Sequence, residues 1–181
     1  EFLAIIREES RRLNGLVTNF LDFARPRAPE LRPTEVRALI ESVLRLLAQT
    51  SYRGDVRFRM DLAPVMKNLR CDPEQMKQVL LNLVLNAMQA MPQGGEVVVD
   101  AAEEKGMLRI RVKDQGPGIP SGDVDSIYDP FFTTKDTGTG LGLPVAYQIV
   151  QQHGGELTLE ENGPAGACFA IRLPSSPGAA A

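Results

Sequence analysis

The sequence predicts an α/β two-layer sandwich preceded by one long α-helix. Three observations lead there. Short alternating segments come in pairs joined by glycine-bearing turns and read as β-hairpins. Segments with a single apolar stripe lie between them and read as helices laid on one face of the resulting sheet. Of the 181 residues, 43% are hydrophobic and 24% charged, which is enough apolar material for a core and unlike the balance of a disordered chain.

The elements follow in order. In residues 1–25, Phe2, Ile6, Glu9, Leu13, Leu16, Phe20 and Phe23 recur at spacings of four and three, a heptad seam. A lone helix of this length is marginal in water, so the seam calls for a partner helix, and a second copy is the simplest source. Residues 26–33 carry Pro26, Pro29 and Pro33, which stop the helix and stiffen a linker. A second unit is expected over residues 34–174, with a frayed tail at 175–181. Thr34 is placed as the cap of a helix to about Gln49, with Val36, Leu39, Ile40, Val43, Leu44 and Leu47 on its apolar stripe. Val56–Leu62 alternates as a strand, and 66–70 is a shorter strand candidate. Asp72 caps and Pro73 opens a helix to about Met91. Residues 96–102 and 107–113 form one hairpin, and 156–160 and 168–173 another. Between the hairpins lie a glycine-rich stretch, 116–142, and a helix over 144–152 that ends at His153-Gly154-Gly155.

Composition excludes several functions. The net charge of −3 disfavours a protein that works by neutralising a nucleic-acid backbone, and no direct nucleic-acid partner is expected. No apolar run reaches the length of a membrane span. Cys71 and Cys168 have no disulfide or zinc spacing and read as buried fillers in a reducing compartment. The chain reads as a piece of something longer, since it begins inside a helical pattern without Met.

The chemistry concentrates at four places. Gln78, Asn82 and Asn86 share one face of the helix after Asp72. Amide oxygens are hard ligands suited to Mg²⁺, which keeps waters and phosphates as its remaining ligands; a plain solvent face is the competing reading. Asp114 ends a strand and is followed by Gly116 and Gly118, which leave the backbone bare for a flat ligand. Its carboxylate can accept from the exocyclic amine of adenine and would repel the carbonyl of guanine. Residues 137–143, Thr137-Gly138-Thr139-Gly140-Leu141-Gly142-Leu143, lead into a helix start, an anion-binding arrangement. It is neither a P-loop, since no Gly-Lys-Ser/Thr follows, nor a dinucleotide fingerprint, since no strand precedes it. Between the glycine stretches, Tyr128-Asp129-Pro130-Phe131-Phe132-Thr133-Thr134-Lys135 reads as a hinged lid with an apolar latch or as simple core anchoring, and Lys135 as a phosphate partner or a solvated charge.

In this order the segments resemble the boxes of a sensor histidine kinase of a two-component system. The asparagine box is Gln78-x-x-x-Asn82-Leu83-Val84-x-Asn86-Ala87, the first glycine box Asp114-x-Gly116-x-Gly118-Ile119, and the phenylalanine box Asp129-Pro130-Phe131-Phe132. Gly138-Thr139-Gly140-Leu141-Gly142-Leu143 is the second glycine box. Leu21-Asp22-Phe23-Ala24-Arg25-Pro26 resembles the end of the second dimerisation-hairpin helix in the nitrogen-regulator-like subgroup. The resemblance implies a Bergerat-type ATP-binding fold of the GHKL superfamily, with a mixed, mostly antiparallel sheet. ATP and Mg²⁺ are the implied ligands. Asn86 would hold the metal, with Asn82 in support and Lys135 beside them at the phosphates. Asp114 would read adenine, with Gly116, Gly118 and Ile119 around it. Gly138, Gly140 and Gly142 would line the triphosphate, with Thr137, Thr139, Leu141, Leu143 and Phe132 also at the nucleotide, and Phe131 and Phe132 would couple the lid to the helical hairpin. The implied reaction moves the γ-phosphoryl group to a histidine and thence to an aspartate of a response regulator. The implied assembly is a homodimer through the hairpin helices, in the cytoplasm or as the cytoplasmic portion of a membrane-bound sensor anchored through an upstream part.

Three departures stand out. No phosphoacceptor histidine is present, and His153 reads as a structural cap at a helix C-terminus. Gln89 stands where some members of the family carry a basic residue, and Pro144 replaces a small residue. The rivals are a hydrolytic ATPase of the same superfamily and a nucleotide-sensing scaffold. The first would need a water-activating glutamate one turn before Asn86, where this chain has Asn82.

Overall fold

The computed structural model describes residues 21, 24, 27–49, 55–64, 66, 68–135 and 138–175. The long helix expected over 1–25 falls almost wholly outside the described residues, as does the tail after Ser175. The chain runs β1 (Arg32–Thr34), α1 (Val36–Ala48), β2 (Val56–Leu62), β3 (Leu69–Cys71), α2 (Pro73–Gln89), β4 (Gly95–Glu104) and β5 (Met107–Lys113), then a 3₁₀ turn (Val124–Ser126). It closes with α3 (Gly142–Gln152), β6 (Glu156–Gly163) and β7 (Gly166–Pro174).

Five strands form one mixed sheet in the order β2-β4-β5-β7-β6. Only β2 and β4 run parallel; the other pairs are antiparallel. A parallel pair needs a crossover, and the segment carrying β3 and α2 supplies it. Period-2 alternation turns Val97, Val99 and Ala101 of β4 and Leu108, Ile110 and Val112 of β5 inward. Phe169 and Ile171 of β7 join them in the core. The helices cover that inner face. All six residues named for the α1 stripe are buried, and α2 packs against both α1 and α3.

The outer face is polar and tightly paired. Arg111 donates through Nε to both oxygens of Asp100, at 2.9 and 3.0 Å, and Lys113 reaches Glu161. Their stems lie opposite Ala170 and Cys168 in the register, so these small β7 residues are buried from that side too. Cys71 and Cys168 are free and buried, as expected of fillers. Burial pushes the Cys168 thiol up to about 11, which keeps it protonated and unreactive.

One expectation fails. Thr34 is not the cap of α1. It belongs to β1, where it pairs with Leu69, and its hydroxyl donates to Arg32 O at 3.0 Å. The helix starts one residue later, after Glu35, with no side-chain cap. A strand pairing with β3 outcompetes the cap, and that pairing lies 35 residues away in sequence, beyond the reach of local pattern. The short strand expected at 66–70 forms at Leu69–Cys71.

Asp72 does cap α2, as its sequence context requires. Its Oδ1 accepts from Glu74 N at 3.0 Å and Gln75 N at 3.2 Å, and Pro73 occupies the first turn. Its Oδ2 accepts from Arg27 Nη2 and Glu30 N, both at 3.1 Å, so the same carboxylate fastens the preceding segment to the domain. His153 sits behind it. One ring nitrogen, Nδ1, donates to Ile149 O at 2.8 Å, and the other, Nε2, accepts from Asp72 N at 3.1 Å. The ring thus closes the end of α3 and the start of α2 together. This is the structural cap expected at His153, but it works through a neutral tautomer, since Nε2 must offer its lone pair.

Candidate functional site

A cavity of about 320 Å³ opens between α2, the loop after β5, residues 132–135 and 138–140, and the start of α3. Its volume lies within the range of small-molecule sites. Each wall can be traced to local sequence.

On α2, Asn82 and Asn86 face the cavity one turn apart. Asn82 Nδ2 donates to Gly142 O at 3.0 Å and so ties the helix to the start of α3. Asn86 Oδ1 accepts from Lys135 Nζ, and Gln89 Oε1 accepts from the same ammonium at 2.9 Å. Burial pulls the Lys135 pKa down, and the nearby Asp114 carboxylate opposes that pull.

The opposite wall carries Asp114, which is only 4% exposed. Its Oδ1 accepts from Gly116 N at 2.8 Å and from Ala167 N at 3.2 Å. No described residue donates to Oδ2. Burial raises the carboxyl pKa above its ordinary value, and the two backbone N–H groups and Lys135 only partly counter it. β7 approaches this strand end closely. A Cβ on Gly166, at φ +124, would fall 2.0 Å from Asp114 O, so glycine is required there.

Gly118 and Ile119 line the cavity next, and Asn162 of β6 holds them. Asn162 Oδ1 accepts from Ile119 N at 2.7 Å, and Asn162 Nδ2 donates to Ile119 O at 2.8 Å. Phe131 N donates to Gly140 O at 2.9 Å, with Phe131 at φ +68 and Gly140 at φ +65. A Cβ on Gly140 would lie 2.3 Å from the Phe131 carbonyl carbon. Phe132 turns into the cavity, whereas Phe131 is 60% exposed.

The description "Histidine kinase-, DNA gyrase B-, and HSP90-like ATPase" names the family whose pattern matches residues 71–177. The chain belongs to that ATPase family. The sensor histidine kinase ZraS of Escherichia coli K12 is 36% identical over 170 residues, covering 94% of this chain and 37% of ZraS. Sporulation kinase E of Bacillus subtilis 168 is 33% identical over 174 residues, covering 96% of this chain and 24% of the relative. The chain therefore spans well under half the length of these relatives. Among solved structures, full-length ShkA in complex with AMPPNP aligns with a TM-score of 0.86 at 25% identity, covering 96% of this chain and 38% of that one. The histidine kinase ThkA, in complex with the response regulator TrrA, gives a TM-score of 0.81 at 29% identity over 97% and 51% of the two chains.

Within this member of the ATPase family, the structure brings most of the sequence-selected residues to one cavity. Asn82, Asn86, Asp114, Gly118, Ile119, Phe132, Lys135, Gly138, Thr139, Gly140, Gly142 and Leu143 all line it. Gly116 lies behind the wall, where its amide fixes the Asp114 carboxylate. Leu141 is buried, at 1% exposure, and anchors the loop from beneath. Thr137 lies outside the described residues. Gln78 does not line the cavity, although it shares the asparagine face of α2.

The sequence named Gln89 only as a departure from the family pattern, and gave no sign that Asp123, Ile127, Ala167 and Phe169 line the cavity. Ile127 and Phe169 look like ordinary core residues in a linear pattern. Only the meeting of β7 with the loop after β5 brings them to the cavity. Gln89 had a visible signal, since it follows Asn86 by one helical turn.

Proposed function

We propose that this chain is the ATP-binding catalytic part of a sensor histidine kinase. The observation that carries the reading is Asp114: a buried carboxylate at a cavity wall, fixed by two backbone N–H groups on one oxygen. Such a group discriminates between purines, since it accepts from the amine of adenine and repels the carbonyl of guanine. The likeness to ZraS and to an AMPPNP-bound kinase supports the same conclusion.

The residues present suit Mg²⁺. Asn86 offers a neutral oxygen that already accepts from a cation, the Lys135 ammonium. Among the described residues no cluster of three or more His, Cys, Asp and Glu could hold a metal by itself. A single amide ligand fits an ion that keeps water and phosphate oxygens as its other partners. When bound, Mg²⁺ supplies charge neutralisation along the triphosphate. The protein residues do the rest. Asp114 orients the base, Asn86 holds the metal and Lys135 adds positive charge near the phosphates. Asn82 braces the phosphate loop through Gly142, and Gly138, Gly140 and Gly142 admit the phosphates to the backbone. Catalysis then consists of positioning and charge stabilisation for in-line transfer.

The acceptor is a histidine on a helix outside this chain, and the phosphoryl group passes from it to an aspartate of a response regulator. ThkA, with its regulator TrrA, supports that partnership. The seam in residues 1–25 supports a homodimer, and the ending of that segment supports the nitrogen-regulator-like subgroup. Brisk hydrolysis is disfavoured, because the helix position one turn before Asn86 carries the amide of Asn82 and no general base. The single histidine of the chain is not an acceptor, since both ring nitrogens of His153 are engaged with backbone. Among the described residues no helix is long and apolar enough to cross a membrane.

The test supplies labelled ATP and a separate histidine-bearing helical hairpin. Wild type labels the hairpin and not itself, and Asn86→Ala lowers the transfer by about 100-fold or more. Stable label on His153, or full transfer by Asn86→Ala, would overturn the proposal.

A further inference from the structure

Lys135 and Gln89 lie 46 residues apart in sequence, and their contact is unused by the scheme above. The Lys135 ammonium has three protons to donate and nothing to accept. Of its direct partners among the described residues, Asn86 Oδ1 and Gln89 Oε1, neither is charged. The two acceptors are one helical turn apart on α2, so the ammonium is held by a pair of amide oxygens on a rigid element. Gln89 itself is exposed, so its side chain adds little to the core. Its resolved interaction is the hold on Lys135.

We propose that Gln89 is a positioning residue. It parks the Lys135 ammonium against Asn86 Oδ1, so that the ammonium and the metal contend for the same oxygen. This rests on the Mg²⁺–nucleotide reading of the cavity and deepens it. With Lys135 Nζ upon it, Asn86 Oδ1 is already committed to a cation. A divalent ion held by Asn86 has to displace that ammonium. The displaced Lys135 remains tethered through Gln89 Oε1 at the cavity wall, where phosphate oxygens add a direct anionic partner to the nearby Asp114 carboxylate. One device thus sets the ammonium in competition with the metal for the Asn86 oxygen. It also delivers the same charge to the phosphates afterwards.

The experiment is calorimetric titration of the whole chain with ADP across a series of MgCl₂ concentrations. It compares wild type, Gln89→Ala, Lys135→Met and the double variant. If Gln89 parks the ammonium, Gln89→Ala lowers the Mg²⁺ concentration needed for half-maximal ADP binding by about three- to tenfold. The Lys135→Met background abolishes that shift, because nothing is left to park. A purely structural role for Gln89 would move thermal stability and leave the Mg²⁺ demand alone. A Gln89→Ala demand within twofold of wild type overturns the proposal, as does an equal shift in the Lys135→Met background. If wild type gives no ADP heat at any Mg²⁺ concentration, the nucleotide reading fails and takes this proposal with it. Heat with an unshifted Mg²⁺ demand removes this proposal alone.

Discussion

Two carboxylates are buried among the described residues, and they sit at opposite ends of the α2 layer. Asp72 is 2% exposed and Asp114 is 4% exposed. Their electrostatics run in opposite directions. Burial opposes ionisation of Asp72, but the N–H groups of Glu30, Gln75 and Glu74 and the Arg27 guanidinium outweigh it and hold its pKa below the usual value. Burial dominates at Asp114 and raises its pKa, against the two backbone donors, both on Oδ1, and Lys135. The difference separates a carboxylate satisfied by its own chain from one left open toward the cavity. At Asp72 every lone pair direction that matters is used by the chain itself, so the charge is structural. At Asp114 the accounts are left open toward a cavity, and an arriving hydrogen-bond donor can close them.

The largest expected effect breaks the structural end. Asp72→Ala removes the cap of α2, the tie to Glu30 N and the partner of Arg27. It should cost about 3 kcal/mol of stability, measured by urea unfolding. A loss under about 1 kcal/mol would mean that the preceding segment and the cap are not energetically coupled through this carboxylate.

The functional end should respond in the opposite way. Asp114→Asn loses the charged acceptor and weakens adenine nucleotide binding by about 10- to 150-fold, read by calorimetry. Its melting temperature should stay level or rise, since an under-compensated buried charge is removed. Unchanged affinity, or a marked drop in stability, would erase the distinction between the two carboxylates.

The smallest effect, and the sharpest in sign, is pH dependence. Asp72 has a depressed pKa, so its stabilisation is present above the ordinary carboxyl value of 3.8 and is lost as pH falls through the lower folded value. The stability gap between wild type and Asp72→Asn should therefore close on acidification. Asp114 has a raised pKa, so wild type is penalised as pH rises from 3.8 through the folded value. The gap between wild type and Asp114→Asn should open over that range. Urea midpoints measured from about pH 3 to 7 read both slopes, and slopes of the same sign would contradict the assignment.

Local chemistry made much of this legible in advance. The α1 stripe, the Asp72-Pro73 start of α2 and the alternation of Val56–Leu62 each depend on residues within a turn or two, and each appears as expected. Thr34 failed for the complementary reason. Its sequence context suits a cap, but a strand 35 residues away claims its backbone. Site residues divide the same way. Asn86, Asp114 and the glycines announce themselves by type and spacing, whereas Ile127, Ala167 and Phe169 become cavity walls only by where β7 is placed.

By itself the sequence determined most of the elements and their apolar faces, because helix period, strand alternation and capping act over short range. Tertiary structure decided the pairings between distant groups. It laid Lys135 on Asn86 and Gln89, set His153 behind Asp72, clamped Ile119 with Asn162 and starved Asp114 of donors on one side. The physical reason is that hydrogen bonding and desolvation depend on separations in space. Those separations are fixed only when the sheet order β2-β4-β5-β7-β6 has brought remote strands together.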